Sequence, residues 1–370
     1  MMMEQTIFQG IAHLSEAIAG SRKVLLVVDG SFPFLSIKSD VEAIGVPYTT
    51  FDQFTPNPLY EDVVKGVELF NAEQCDTILA VGGGSSMDVA KCIKLYCKMQ
   101  KDRLFLEQEY TDTGVRLIAI PTTAGTGSES TRYAVIYYDG KKQSVTHDSI
   151  IPDVAILEPK VLKTLPLYQK KCTMLDALCQ GIESWWSVNS TDESKGYSKI
   201  AVETIVKHWQ EYIFANTDEA AEKIMMAANY AGRAICITQT TAPHAFSYKL
   251  TSMYGLPHGH AVAVCLPVIW EYMTDNIDKC IDSRGKNKLA ATFRQIAGAM
   301  GVLDVRSAIK SFLALLDAMG IQRPAAADRK KELEILTHSV NPIRLSNNPI
   351  QMDNNAINRL YTKILCGKEG

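Results

Sequence analysis

Two patterns of hydrophobic positions divide this chain near residue 160. Up to that point, short apolar runs alternate with stretches of helical spacing. KVLLVVDG (23–30) predicts a buried strand that ends in an Asp-Gly turn. VPYTTFD (46–52), DTILAVGGG (76–84), VRLIAIPTT (115–123) and VAILEP (154–159) read as further strands. Residues 60–72 place Val63, Val64, Val67, Leu69 and Phe70 at helical intervals, and 85–98 also read as a helix. RYAVIYYDGKKQSVT predicts a hairpin turning at Asp139-Gly140, a pair suited to a type I′ turn. Strands alternating with helices predict a mostly parallel sheet covered on both faces.

Beyond residue 160 the period is helical almost throughout. Helices are expected over 172–187, 194–213, 217–239, 240–253, 259–275, 286–300, 304–318, 329–338 and 353–366. Pro257, Gly285, Gly301, Gly320, Pro324, Pro342 and Pro349 punctuate them. The expected architecture is an α/β domain over 1–162 followed by an all-α domain over 163–370. Ligands in such chains favour the groove between domains, so an active site is expected there.

Composition changes this picture little. The hydrophobic fraction of 46% and charged fraction of 21% are those of a globular protein in water. A net charge of −3, with both signs mixed, gives no footprint for nucleic acid or an anionic membrane. No apolar run approaches the length of a membrane span. The opening MMMEQTIFQGIAHL lacks a leader's basic and apolar regions. Nine cysteines (75, 92, 97, 172, 179, 236, 265, 280 and 366) include no CxxC pair and read as reduced thiols. The expected location is the cytoplasm.

Chemistry enters at the strand ends. VGGGSSMDVAK (81–91) puts three glycines between a strand and a helix. Glycine lets the backbone approach a ligand closely, and the helix N-terminus offers N–H groups to a pyrophosphate. The motif is neither G-x-G-x-x-G nor a Walker loop. PTTAGTGSEST (121–131) is a second polar loop after a strand. Asp29, closing the first strand, suits ribose hydroxyls and would repel a 2′-phosphate, which favours NAD(H) over NADP(H).

The helical half carries a candidate metal set. Asp176 and Gln180 stand at i and i+4 on one helix face. His244 and His258 lie fourteen residues apart, with His260 close by. A carboxylate with imidazoles suits Zn²⁺ or Fe²⁺, and three protein ligands leave a position open for substrate.

GGGSSMDVAK, IPTTAGTGSEST, DALCQGIES and LPHGHA, in this order, resemble the iron-containing (group III) alcohol dehydrogenase family, of the dehydroquinate synthase-like fold. The resemblance spans roughly residues 20–360. It implies an NAD(H)-linked oxidoreductase acting on a small alcohol or aldehyde, with Fe²⁺ ahead of Zn²⁺ and a homodimer or larger homo-oligomer. By the same resemblance, Gly83, Gly84 and Ser85 hold the pyrophosphate and Asp29 faces the adenosine ribose. Thr122 and Thr123 line the adenine and ribose side, and Thr126 and Ser128 lie nearer the pyrophosphate and nicotinamide. Asp88 is the motif aspartate, and Lys142 sits near the nicotinamide. Asp176, His244 and His258 match three of four usual metal ligands. Gln180 stands where the family has histidine, as a weaker oxygen donor. Tyr248 stands where many members carry another active-site histidine, so Tyr248 or His260 is expected to relay the proton.

DALCQGIESWWSVNSTDES and TTAPHAFSYKLTSMYGLPHGHAVAVCLP resemble most those members that reduce phosphonoacetaldehyde to 2-hydroxyethylphosphonate. Such a substrate demands a cation for its dianionic head, and Arg132, Lys249 and Arg344 are the candidates. Two rivals remain: a dehydroquinate synthase-like cyclase, and a non-catalytic NAD-binding protein suggested by Gln180.

Overall fold

The computed structural model describes residues 5–365. The first four residues of the opening segment and Cys366 lie outside them. The chain divides into two compact units. One is Met1–Leu165 with Asn216–Gly232, and the other is Pro166–Ala215 with Arg233–Gly370. The division is therefore not a single cut: Asn216–Gly232, far along the sequence, is part of the α/β unit.

The first unit is built on a six-stranded, all-parallel sheet. Its strands are β1 (Thr6–Gln9), β2 (Val24–Val28), β3 (Tyr48–Phe51), β4 (Thr77–Gly82), β5 (Arg116–Pro121) and β8 (Val154–Leu157). Their order is β1-β8-β5-β4-β2-β3. The expected hairpin forms as β6 (Tyr133–Tyr138) and β7 (Lys141–Thr146), with Asp139 and Gly140 both at positive φ in its turn. Short helices α1 (Leu14–Ala17) and α2 (Lys38–Glu42) accompany α3 (Tyr60–Ala72) and α4 (Gly84–Tyr96). Leu25, Val27, Ile78, Ala80, Leu117 and Ala119 alternate along three adjacent strands and so share one face. They join Val67 and Ile93 in a single core. Leu26, Leu79 and Ile118, on the opposite face, are also buried, which explains why these strands read as unbroken apolar runs. β1 was not expected: TIFQ is too short to show a period, and its pairing with β8 makes it a strand.

The order of strands reverses direction between β2 and β4, since β3 lies on one side of β2 and β4 on the other. Ligands of open parallel sheets bind outside the strand C-termini at such a switch. Asp29 follows β2 and Gly83 follows β4, so both stand at this place.

The second unit is helical: α5 (Leu167–Trp186), α6 (Asp192–Gln210), the last part of α7 (Asp218–Thr238), α8 (Ala242–Tyr254), α9 (His258–Asp275), α10 (Lys286–Ala299), α11 (Val305–Ala318), α12 (Arg329–His338), α13 (Pro342–Leu345) and α14 (Asn354–Ile364). α5 packs against α6 and α9, and α8 against α9. Among the described residues, no helix is long and apolar enough to cross a membrane.

Candidate active site

Beyond Thr173, α5 is apolar apart from Ser184 and one polar stripe. Asp176, Gln180 and Glu183 recur at i, i+4 and i+7, so they project from one face, and all three are buried. Burying three polar side chains is costly unless each has a partner. Glu183 has several. Its Oε2 accepts from the Thr241 backbone N–H at 2.8 Å and the Thr241 hydroxyl at 2.9 Å, holding the start of α8. Its Oε1 accepts from His244 Nδ1 at 2.5 Å. Because a carboxylate only accepts, Nδ1 keeps a proton, and Nε2 is the nitrogen that a metal cation would take in place of a proton.

That Nε2 stands 3.3 Å from Asp176 Oδ1. His258, at the first position of α9, brings its own Nε2 to 3.8 Å from the same oxygen. The three ligand atoms lie within 4.8 Å of one another. Donors about 2.1 Å from a tetrahedral ion lie about 3.4 Å apart, so the set fits a divalent metal. Gln180 Nε2 donates to Asp176 Oδ2 at 3.2 Å, which steadies the carboxylate and turns its other oxygen toward the imidazoles. Burial opposes charge on His244, but the Glu183 and Asp176 carboxylates outweigh it and raise its pKa to about 9. The pocket is thus built for positive charge.

Gly259 makes the His258 position attainable. A Cβ there would lie 1.9 Å from the Cys172 carbonyl oxygen and 2.9 Å from Asp176 Cβ. Only glycine lets α9 start this close to α5.

Tyr248 follows His244 by one turn, and its ring stacks on His258 with centroids 5.9 Å apart and planes at 12°. Burial pushes its hydroxyl pKa up, while the Arg344 guanidinium, hydrogen-bonded to that hydroxyl, works against the rise. His260 is occupied differently. Its Nδ1 meets the Tyr168 hydroxyl at 2.7 Å and its Nε2 meets the Gln322 carbonyl oxygen at 2.7 Å, so one ring nitrogen ties α9 to α5 and the other to the segment after α11. Lys249 is half-buried on α8. Arg132, in the α/β unit, pairs with Asp148 at 3.1 Å and contacts the Tyr133 hydroxyl at 3.3 Å. This ion pair, with a largely exposed carboxylate, ties it to the far end of the hairpin.

The α/β unit assembles the other predicted residues. Gly82 adopts φ +156, and a Cβ there would meet Ser86 Oγ at 2.1 Å and Asp29 Oδ2 at 2.6 Å. Asp29 works inside this loop. Its Oδ2 accepts from Ser86 Oγ at 2.9 Å and Gly83 N at 3.3 Å, and its Oδ1 from Ser31 N at 2.9 Å. A Cβ on Gly84 would lie 3.1 Å from Thr126, so the glycine turn rests against the second loop. Thr122 is fixed by its N–H to the Gly82 carbonyl at 3.0 Å. Thr123 packs 3.7 Å from where a Gly83 Cβ would be. Gly83, the residue before α4, has no side chain to cap the first turn, which suits an anion at the N–H groups of that turn. Ser85 accepts from Asn57 N at 3.3 Å.

Lys91, which the sequence reading missed, secures the second loop. Fully buried, its ammonium donates to Ser128 Oγ (3.0 Å), the Thr131 carbonyl (2.7 Å) and the Tyr133 carbonyl (2.8 Å). Ser128 Oγ in turn lies 3.2 Å from Asp88 Oδ1. Burial raises the Asp88 pKa to about 6, against the pull of nearby Lys91 and of Lys142 on β7. Gly127 completes the loop by crossing α7 at Gly232, where a Cβ on Gly127 would lie 2.3 Å from Gly232 Cα. Asn229 donates to Glu129 at 3.0 Å and Ser130 at 2.8 Å. These contacts are why Asn216–Gly232 belongs to this unit.

The profile of the iron-containing alcohol dehydrogenases matches residues 4–159, and the family's C-terminal profile matches residues 171–365. The chain belongs to the iron-containing alcohol dehydrogenase family. Among relatives, phosphonoacetaldehyde reductase of Streptomyces viridochromogenes is 34% identical over 253 residues, covering 65% of this chain. The match spans 64% of that relative's length. The crystal structure of sulfoacetaldehyde reductase from Bifidobacterium kashiwanohense in complex with NAD⁺ superposes with TM-score 0.87 at 25% identity, covering 97% of this chain and 96% of that one. The iron-containing alcohol dehydrogenase of Thermococcus thioreducens shares the fold, with TM-score 0.88 at 24% identity and 98% of each chain covered.

Proposed function

We propose that the protein is a metal-dependent, NAD(H)-linked alcohol dehydrogenase that works as an aldehyde reductase. The observation that carries this reading is the convergence of Asp176 Oδ1, His244 Nε2 and His258 Nε2 within 4.8 Å. A divalent ion there, iron ahead of zinc, would supply Lewis-acid polarisation of a carbonyl oxygen, and NADH the hydride.

The remaining work falls to the chain itself. Asp176 supplies the negative charge of the ligand set, and Gln180 holds that carboxylate through its amide nitrogen, with its amide oxygen as the weaker fourth donor. Glu183 fixes the His244 tautomer and so the direction of its lone pair. Tyr248 keeps the His258 ring in place and carries a proton on its hydroxyl, which burial keeps protonated at neutral pH. In the α/β unit, Gly83, Gly84 and Ser85 receive the pyrophosphate, with Thr122, Thr123 and Thr126 alongside. Asp29 stiffens the glycine turn, and Asp88 stands beside Ser128, within reach of the charge of Lys142.

The two named relatives act on phosphonoacetaldehyde and sulfoacetaldehyde, both two-carbon aldehydes with an anionic head. Reduction of phosphonoacetaldehyde to 2-hydroxyethylphosphonate is the specific reaction proposed. The described cysteines all carry free thiols, most of them buried, which supports a reducing, cytoplasmic setting. The test is NADH oxidation by protein purified without oxygen, supplied with Fe²⁺ or Zn²⁺ and a panel of aldehydes. Net NADH consumption is expected. Cofactor binding with no net consumption for any aldehyde would overturn the reading in favour of a cyclase or a binding protein.

A further inference from the structure

A second concave site lies wholly within the helical unit. α5, α6 and α10 pack against one another, and a groove of about 510 Å³ opens between α6 and α10, with Trp185 of α5 in its wall. That volume is the size of a small-molecule site. Trp185 stands nine residues after Asp176, about 13 Å along the helix at about 1.5 Å per residue, and no residue of the metal set lines the groove. Two glycines leave the space open. Gly196 in α6 and Gly298 in the last turn of α10 line the groove, and neither has anything within 4 Å of where a Cβ would be. A helical glycine costs stability relative to alanine. Elsewhere such a glycine answers to a contact: a Cβ on Gly259 would lie 1.9 Å from the Cys172 carbonyl oxygen, and one on Gly181 3.2 Å from Val202. At Gly196 and Gly298 there is no such contact, only room.

The groove gathers donors that lack acceptors. Lys195 lines it from α6 and Lys288 from α10, and among the described residues neither ammonium has a hydrogen bond or an ion pair. Lys199 also lines it, 3.8 Å from Glu203 in an exposed pair. Burial, then the positive charges of Arg284 and Lys288, hold Lys195 below its ordinary pKa, although Asp192 and Asp282 oppose them. Arg284 itself is held by Asp282 at 2.6 Å. The Trp185 side chain is 5% exposed, and its buried indole N–H has no hydrogen-bond partner. An indole N–H and an ammonium can only donate. Crowded positive charge and an unmet buried donor are both unfavourable, and an anion rich in acceptor oxygens relieves both.

We infer that the groove between α6 and α10 is a binding site for a phosphate-bearing small molecule, held by Lys195 and Lys288 with the Trp185 indole N–H as a further donor. The chemistry recognised is a phosphate dianion, whose charge matches two ammonium groups. Asp192 and Glu203, which also line the groove, offer acceptors to hydroxyls on the rest of such a molecule. The site is separate from the metal set and does not depend on the activity proposed above.

Calorimetric titration of the full chain tests it, with Fe²⁺ supplied and NAD⁺ at saturation so that the nucleotide loops are filled. The probes are ribose 5-phosphate, inorganic phosphate and ribose. Ribose 5-phosphate should bind and ribose should not. Lys195→Gln and Lys288→Gln should each weaken binding roughly tenfold, and Trp185→Phe about threefold. Gly298→Leu fills the groove and should abolish binding. Without any probe, Lys288→Gln and Gly298→Leu should keep or raise the melting temperature, since the first relieves like charge and the second replaces a helical glycine in open space. Inorganic phosphate binding as tightly as ribose 5-phosphate would assign the site to the free ion, and tighter binding of ribose 5-phosphate to a phosphorylated metabolite. No phosphate-dependent binding to the wild type, or binding that survives both the paired lysine substitutions and Gly298→Leu, would overturn the site. A lower melting temperature in Lys288→Gln would mark that lysine as a structural partner and count against it as well.

Discussion

The two ends of this protein's chemistry are made of different materials. In the α/β unit, the candidate nucleotide loops are shaped by main chain: Gly82, Gly84 and Gly127 are places where a Cβ has little or no room, and Asp29 and Lys91 brace the backbone from within. In the helical unit, the candidate metal set is shaped by side chains from three helix positions far apart in sequence, aligned by one buried glutamate. The lesson is that the first end fails through sterics and the second through charge and ligation. Substitutions should therefore separate the two functions cleanly.

The largest separation is expected from Asp176→Ala. It removes the only carboxylate of the ligand set, and kcat/KM for aldehyde reduction should fall by roughly 1000-fold or more, with NADH affinity kept. Steady-state kinetics beside a fluorescence titration of NADH reads both. If nucleotide affinity fell equally, the two ends would not be independent. Gly82→Ala should do the reverse. The added Cβ collides with Ser86 and Asp29, so NADH binding should weaken on the order of 100-fold while metal content stays at the wild-type value.

How much of this was legible beforehand follows the same line. The glycine turn announces itself as GGG after an apolar run, and the helices of the second half follow from period alone. Asp176, His244 and His258 could not be joined by spacing, because Gly259 and the packing of α9 on α5 set their distances. Only ordered motifs linked them. Glu183 was missed although its signal was present: a third polar residue continuing the Asp176–Gln180 stripe along the apolar later part of α5. Lys91 was missed because a lysine in a helix ordinarily faces water, and nothing local reveals that four oxygens surround this one. The ion pair of Arg132 was hidden for another reason: its partner Asp148 comes from across the hairpin.

Smaller effects sharpen the contrast. Glu183→Gln removes the charge behind His244, and metal affinity should drop about 10-fold to 100-fold, read by competition with a chelator. Nucleotide affinity should not follow. Gln180→His offers a further imidazole at the edge of the set and should tighten the metal about tenfold by the same assay. A drop in affinity would show that Gln180's bond to Asp176 matters more than a fourth donor. The mildest effect is on pH dependence. Asp88 has a folded pKa of about 6, above its ordinary value of 3.8. The folded state thus binds more protons in that window, and stability from this group is full below about 3.8 and lost as pH rises through about 6. Asp88→Asn should flatten that part of the denaturation curve, and an unchanged slope would count against a buried, protonatable Asp88.

The most direct test of the central claim is metal analysis of protein purified without oxygen and reconstituted with Fe²⁺. The account predicts about one iron per chain in the wild type, retained in Gly82→Ala and absent from Asp176→Ala. Iron bound equally by wild type and Asp176→Ala, or by neither, would contradict it.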